Sequence, residues 1–491
     1  MEFNSFPVST AVDFFRGLES SALNGITPGS TIDTALDIGN LDREFSFRDS
    51  VSPAEPLDVF SFSLRGTGTL AIDLQSLSAD ADLYLVRDFN GDRLVNNNEI
   101  VAASERAGNA SESIRINNLV PGQYFVFVSQ YQGSTSYELK ISADVWQSST
   151  INSFSPLYGF GLVDARAAVG MALGQSLEAV PDRSSDVPSN FGDLNLIDVP
   201  AVWERGITGK GVVVAVLDTG VDINHPDLKD NIWVNLGEIA GNGIDDDGNG
   251  FVDDRHGWDF GDRDNSPTPG RERGAEHGTH VAGTIGAKLN GITTDNRGNR
   301  VEVQGVAPDA TIMPVRVLGG RFGNTADALA RGIRYAVDNG ADIINLSLGA
   351  GMNSPVLRSA LTYAEERGVI IVAAAGNDAN RGATVPSFPA RDAALVDVGI
   401  AVGAVDRDVN IASFSNPAGT VLGEFPFVVA PGVRVLSTLP GNRYGTLSGT
   451  SMATPHVAGL VALLLQANPN LTPSQVENIL IATSRNPALL A

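Results

Sequence analysis

Val212-Val213-Val214-Ala215-Val216-Leu217-Asp218-Thr219-Gly220 decides the fold: six apolar residues run unbroken into an acid and a turn. A run rich in β-branched residues and free of polar alternation suits a strand buried on both faces, as in parallel sheets covered by helices. Further on, the pattern repeats. Ala326 to Asn339 reads as a helix stopped by Gly340, followed by the run Ile343-Ile344-Asn345-Leu346. Pro355 to Arg367 is likewise stopped by Gly368 before Val369-Ile370-Ile371-Val372. This strand–helix–strand alternation predicts an α/β domain, a parallel sheet with helices on both faces. Active sites of such sheets lie at the carboxyl ends of the strands.

Upstream the period changes. Val59-Phe60-Ser61-Phe62-Ser63-Leu64, Leu70-Ala71-Ile72-Asp73-Leu74 and Tyr124-Phe125-Val126-Phe127-Val128 are short apolar alternations divided by turn residues. They predict an antiparallel β-sandwich over 31–147. Residues 1–30 carry no clear period and read as an N-terminal extension. Residues 148–190 read as a connector and 191–491 as the α/β domain.

The 491 residues hold 57 Asp and Glu against 33 Lys and Arg, a net charge of −24. Such a field repels phosphate backbones, so no nucleic-acid partner is expected. The absence of Cys removes disulfides, Cys-ligated zinc, iron–sulfur clusters and thiol catalysis. The longest apolar stretch, Val457 to Leu465, is about half the ~20 residues of a spanning helix, so no integral membrane segment is expected. Met1-Glu2-Phe3-Asn4-Ser5 shows neither the basic nor the apolar region of a signal peptide.

Three segments carry reactive side chains at element ends. Asp218 stands where the first strand stops, and His277-Gly278-Thr279-His280 opens an apolar helix. In Gly449-Thr450-Ser451-Met452-Ala453-Thr454-Pro455 a Ser precedes a helix with Pro in its first turn. A Ser hydroxyl becomes a nucleophile when a neighbouring base takes its proton, and the base needs an acid to fix its tautomer. A helix N-terminus behind the Ser adds donors for developing negative charge. A zinc hydrolase built on His277 and His280 would lack an intervening Glu and a third ligand. A nucleotide enzyme would lack the Gly-x-Gly-x-x-Gly turn after the Val212 strand.

In these three segments and their Asp, His, Ser order, the chain from about residue 190 resembles the subtilisin-like serine proteases. The resemblance implies that Asp218 orients, His277 is the general base and Ser451 the nucleophile, with His280 structural. It implies that Asn377, in Ala373-Ala374-Ala375-Gly376-Asn377, and the Ser451 amide hold the oxyanion. Ser347, Leu348 and Gly349 match the strip that pairs with an extended substrate, and Ala374 and Gly376 match the pocket lining. Ser387 matches a pocket-floor position, and with Asp378 nearby the preference expected is for large or basic side chains. The order of parts most resembles the cyanobacterial calcium-dependent proteases. Protein or peptide substrates, a secreted or periplasmic location and a monomeric state are expected. The alternative reading is a calcium-binding adhesion protein with an inactive protease domain.

Several calcium ions are expected. Eight Asp lie between Gly241 and Asp264. Asp245, Asp247, Asn249 and Asp253 take positions 1, 3, 5 and 9 of an EF-hand-like loop, with Phe251 at 7, but position 12 is His256 rather than Glu. Asp253 or Asp254 is expected to close that shell. Asp259, Asp262 and Asp264 resemble a calcium loop of thermostable subtilases, and Asp227 matches a ligand of the family's tight site, although its partner loop near Asn290 is longer here. Upstream, Asp88, Asn90, Asp92, Leu94, Asn96 and Glu99 form a second EF-hand-like candidate in which Arg93 replaces the turn Gly. The module around it resembles the bacterial pre-peptidase C-terminal domain. Leu157 to Val169 resembles the segment that normally ends a subtilase domain, yet it precedes Asp218. An N-terminal copy of that segment (about 157–173) could complete the fold as a circular permutation.

Overall fold

A computed structural model of the chain describes residues 30–41, 44–64, 68–87, 95, 99–119, 122–145, 154–349, 354–392, 398–422 and 424–487. The chain divides into two units, Met1–Ile151 and Asn152–Ala491.

The first unit is built from β1 (Leu36–Asn40), β2 (Phe45–Val51), β3 (Leu57–Leu64), β4 (Gly68–Gln75), β5 (Asp80–Val86), β6 (Ile100–Ser104), β7 (Glu112–Leu119), β8 (Gly122–Gln132) and β9 (Thr135–Val145). They form a sheet of order β1-β3-β8-β5-β6 and a second of order β2-β9-β4-β7. Pairing is antiparallel except between β1 and β3. Phe60, Phe62, Leu70, Ile72, Leu83 and Leu139 fill one core. The alternation read in β3 predicts one wet face, yet the strand is buried on nearly its whole length. Its other face packs Leu57 and Val59 against Tyr84, Val86, Phe125 and Phe127 in a second apolar cluster.

In the second unit α1 (Ala165–Ala172), α2 (Phe191–Leu196) and α3 (Val199–Trp203) come first. The sheet follows with β10 (Val213–Asp218), β11 (Trp258–Asp259), α4 (His277–Gly286), the hairpin β12 (Thr293–Thr294) and β13 (Arg300–Val301), β14 (Thr311–Arg316), α5 (Ala326–Asp338), β15 (Ile343–Leu346), α6 (Pro355–Glu365), β16 (Ile370–Ala374), β17 (Ile400–Val405) and β18 (Phe427–Pro431). A second hairpin, β19 (Val435–Leu439) and β20 (Arg443–Leu447), leads to α7 (Thr450–Ala467) and α8 (Pro473–Thr483). The large sheet is parallel, in the order β11-β14-β10-β15-β16-β17-β18. From β10 the chain crosses to β11 at one edge, returns through α4 to β14, and continues through α5 and α6 to β15 and β16. Helices α5 and α6 pack against each other. Packed against α4 is α7.

Helix α7 begins at Thr450, so Ser451 lies inside its first turn and Pro455 one turn further in, not in the first turn as expected. Among the described residues it is the one helix long and apolar enough to cross a membrane, and 78% of its apolar window is buried inside the protein.

Residues 154–190 belong to the second unit. Phe160 N donates to Phe427 O at 2.9 Å, Val163 N to Val429 O at 3.1 Å, and Val429 N to Gly161 O at 2.8 Å. The segment thus lies parallel to the edge strand β18. On its other side Leu162 and Arg485 exchange main-chain hydrogen bonds of 2.8 and 2.7 Å. Asp164 Oδ1 caps α1 by accepting from Ala167 N at 2.8 Å.

Candidate active site

At the carboxyl end of β10, Asp218 is fully buried, and His277 is the first residue of α4. Thr219 ties the two ends together. Its hydroxyl donates to Ala275 O at 2.9 Å and accepts from Gly278 N at 2.9 Å. Gly278 is required by the closeness of this approach, since a Cβ there would lie 2.4 Å from Gly220 O. The result is a pair: His277 Nδ1 is 2.8 and 3.0 Å from the two Asp218 oxygens. With a carboxylate as acceptor, Nδ1 carries the proton and Nε2 keeps its lone pair. Burial presses the imidazolium pKa down, but the Asp218 charge and hydrogen bond outweigh it and leave His277 above its ordinary value. His280 is different. Its Nε2 faces Val435 O at 3.0 Å and Gly445 O at 3.2 Å, and burial pushes its pKa down to about 4.

Ser451 is half-buried near the start of α7. Pro455 has no N–H to bond the carbonyl four residues back. The Ser451 carbonyl accepts from Ser347 Oγ instead, at 2.8 Å, and Asn345 Nδ2 donates to that Oγ at 3.0 Å. Ser347, Leu348 and Gly349 follow β15, and Ala374 ends β16, the neighbouring strand. Gly376 N donates to Thr450 Oγ1 at 3.1 Å, and Gly376 O accepts from Asn416 N at 2.9 Å. Asn377 is exposed, and its Oδ1 accepts from Thr450 N at 2.9 Å. A Cβ on Gly449 would sit 3.5 Å from Asn377 Nδ2, so the free amide end lies beside the turn that carries Ser451.

Across from Gly349 stands Ser387: a Cβ on that glycine would come within 3.8 Å of Ser387 Cβ. Asn416 Nδ2 donates to Ser387 Oγ at 3.1 Å. Asp378 pairs with Arg381 at 2.9 Å. Sequence reading missed Thr219 and Asn416, which touch the site residues through contacts distant in sequence, Asn345, buried two residues from Ser347, and Arg381, at an exposed turn.

The acidic loop differs from an EF-hand. Asp245 turns its carboxylate onto the amides of Gly248, Asn249 and Gly250, and Asp253 onto those of Asn242 and Gly243. Phe251 packs its ring against Tyr335, 4.9 Å between centroids. Glu238, absent from the sequence reading, joins Asp247 and Asp254 instead. One ligand oxygen from each lies within 4.8 Å of the others. Glu238 and Asp254 are buried, and burial raises the Asp254 pKa. Arg255 Nη1 donates to the main-chain carbonyls of Asn235 and Glu238. Three clustered carboxylates, two of them buried, are a hard-oxygen donor set that fits calcium. Asn249 contributes a different service: its Nδ2 donates to Asp254 Oδ2 at 3.1 Å.

The other expected ligands, like the members of this cluster, have protein partners. Arg316 donates to Asp259, to Asp262 at 3.0 Å and to Glu272 at 2.9 Å, so a guanidinium supplies the positive charge expected of an ion. Asp264 accepts from Ser266 N at 2.9 Å. Asp227 accepts from Tyr444 Oη at 2.6 Å and Asn290 Nδ2 at 2.9 Å. Asp88, Asn90, Asp92, Leu94 and Asn96 lie outside the described residues. Glu99 is buried at the start of β6.

Residues 209–490 match the subtilase family, and residues 56–130 match the bacterial pre-peptidase C-terminal domain. M-protease of Shouchella clausii (strain KSM-K16) is 42% identical over 291 residues, covering 59% of this chain and 63% of its own length. Subtilisin Savinase of Lederbergia lenta is 42% identical over 291 residues, covering 59% of this chain and 90% of its own length. Subtilisin E of Bacillus subtilis (strain 168) is 39% identical over 292 residues, covering 59% of this chain and 65% of its own length.

Proposed function

From the fact that the chain belongs to the subtilase family, we propose that it is a calcium-dependent serine endopeptidase acting on proteins through an Asp218-His277-Ser451 triad. The observation that carries this reading is the His277–Asp218 pair, which leaves Nε2 as the proton acceptor. In this mechanism Ser451 Oγ attacks a substrate carbonyl while His277 Nε2 takes its proton, and Asp218 stabilises the imidazolium. The tetrahedral oxyanion is held by Asn377 Nδ2 and the Ser451 amide. His277 then protonates the leaving amine, and water resolves the acyl-enzyme by the same route. The substrate backbone pairs with Ser347–Gly349, and its side chain enters the space between Gly349, Ala374–Gly376 and Ser387. Glu238, Asp247 and Asp254 would hold the calcium, whose charge would offset the repulsion among their carboxylates and brace the 235–256 loop.

The deciding experiment is casein hydrolysis against free calcium, from chelator to millimolar, with Ser451→Ala as the blank. Hydrolysis that rises with calcium and is lost in the blank is the expected result. Activity indifferent to calcium removes the metal from the mechanism. Hydrolysis surviving in Ser451→Ala overturns the triad.

A further inference from the structure

Residues 154–173 are held in the second unit by contacts that owe nothing to the peptide link joining them to the rest of it. Besides the strand pairing with β18 and Arg485, Asp164 pairs with Arg485 Nε at 3.4 Å. Ala165, Ala168 and Val169 are wholly buried in the same core as Leu460 and Leu463 of α7. The fit is close at Gly161, whose φ is +110° and where a Cβ would lie 2.3 Å from Arg485 O. After buried Leu177, residues Glu178, Ala179, Pro181 and Asp182 are exposed and belong to no helix or strand. Anchoring resumes at Arg183, whose N donates to Asn195 Oδ1 at 3.1 Å and whose Nη1 donates to Gln304 at 2.6 Å.

We propose that Glu178–Asp182 is a site of proteolytic modification, and that hydrolysis there gives a two-chain protein in which the segment ending at Leu177 stays docked as a noncovalent clasp. An endopeptidase, a second copy of this chain included, adds water across one peptide C–N bond. The clasp side gains a carboxylate and the Arg183 side an ammonium group. The clasp survives because its buried apolar face and paired main chain lie on the docked side of the cut. It also has a positioning role. It braces β18, and beyond that strand Gly432 O accepts from Gly449 N at 2.9 Å, two residues before Ser451. Only this effect on activity rests on the endopeptidase reading; the association does not.

The test uses the full chain carrying Ser451→Ala, with residues 178–182 replaced by the recognition sequence of a sequence-specific protease. After cutting, both fragments are expected to co-elute from a native sizing column at the position of the uncut chain and to part only under denaturant. Separation on the native column overturns the proposal. The same cut chain with Asp164→Ala or Gly161→Leu is expected to release the clasp, and co-elution unchanged in both overturns the assigned contacts. Brief treatment with a nonspecific protease is expected to cut the second unit first between 178 and 182, and a first cut elsewhere in that unit overturns the site. With Ser451 restored, the cut chain is expected to hydrolyse casein at the uncut rate and its Gly161→Leu variant, the clasp released, to lose most of that activity; full activity without the clasp overturns the bracing role. If cut and uncut chains are both inactive on casein, the endopeptidase reading fails while the column result still decides the clasp.

Discussion

Asn377 Oδ1 accepts a 2.9 Å hydrogen bond from the backbone amide of Thr450, the residue before Ser451. A side-chain amide has one acceptor end and one donor end, so engaging the oxygen fixes the direction of the NH2 group. Asn377→Ala is therefore expected to lower kcat by roughly 10²–10³ with little change in KM, the size of loss known for the oxyanion Asn of a subtilisin. Steady-state kinetics on a peptide amide would read the split. A rise in KM at unchanged kcat would assign Asn377 to ground-state binding instead.

In the proposed mechanism the raised pKa of His277 would set the acid side of the pH profile. The base works only when neutral, so kcat/KM should fall as pH drops through a value above the ordinary 6.5. Asp218→Asn removes the charge that raises it, and the residual activity should show its acid limb at lower pH. A limb that stays in place would mean another group titrates there.

Glu238→Gln tests the proposed calcium cluster without touching the proposed triad. In the unaltered protein, calcium at about 100 times its Kd should add about 2.7 kcal/mol to stability. The variant should lose most of the calcium-induced rise in Tm. An equal rise in both would place the ion elsewhere.

Arg381→Ala bears on specificity. The Asp378 carboxylate, which the sequence suggests as a lure for basic side chains, is engaged by Arg381 at an exposed site. Freed of that partner, it should shift cleavage toward Lys and Arg by up to about fivefold, the factor for about 1 kcal/mol. A peptide series differing only before the scissile bond would measure the ratio, and no shift would show that Asp378 does not face the pocket.

In the first unit, burial pushes the Asp58 pKa up to about 7, against the Tyr137 hydroxyl hydrogen bond of 2.6 Å. A folded pKa above the unfolded one contributes stability at low pH that is lost as pH rises through about 7. The unit should melt lower at pH 8 than at pH 5, with a shallower dependence in Asp58→Asn. Parallel pH curves for the two proteins would count against it.

The parallel sheet was legible because local pattern and global role coincide: an apolar run buried on both faces looks the same in sequence and in the fold. Asp218, His277 and Ser451 sit at element ends marked by Gly, Thr and an apolar helix, so their placement was legible too. The acidic loops were not. Asp259 and Asp262 read as an ion's ligands because Arg316, the cation that meets them, lies more than fifty residues away at the end of β14. Glu238 is lost for a related reason: nothing in its own neighbourhood says that the loop returns Asp247 and Asp254 to it. Position along a chain records spacing, not which charge comes back to meet which.

Gly159 O and Asn486 Nδ2 meet at 3.5 Å although 327 residues separate them. At about 5–20 residues per second, a ribosome needs roughly 16–65 s to pass from one to the other. Until β18 is made, late in that interval, Phe160 to Val163 is an apolar segment without its neighbours. Contacts this distant make folding slow and leave the nascent chain open to mispairing with other chains. Production of the folded protein should therefore respond more to translation speed and to chaperones that shield the early segment than to the stability of the finished molecule.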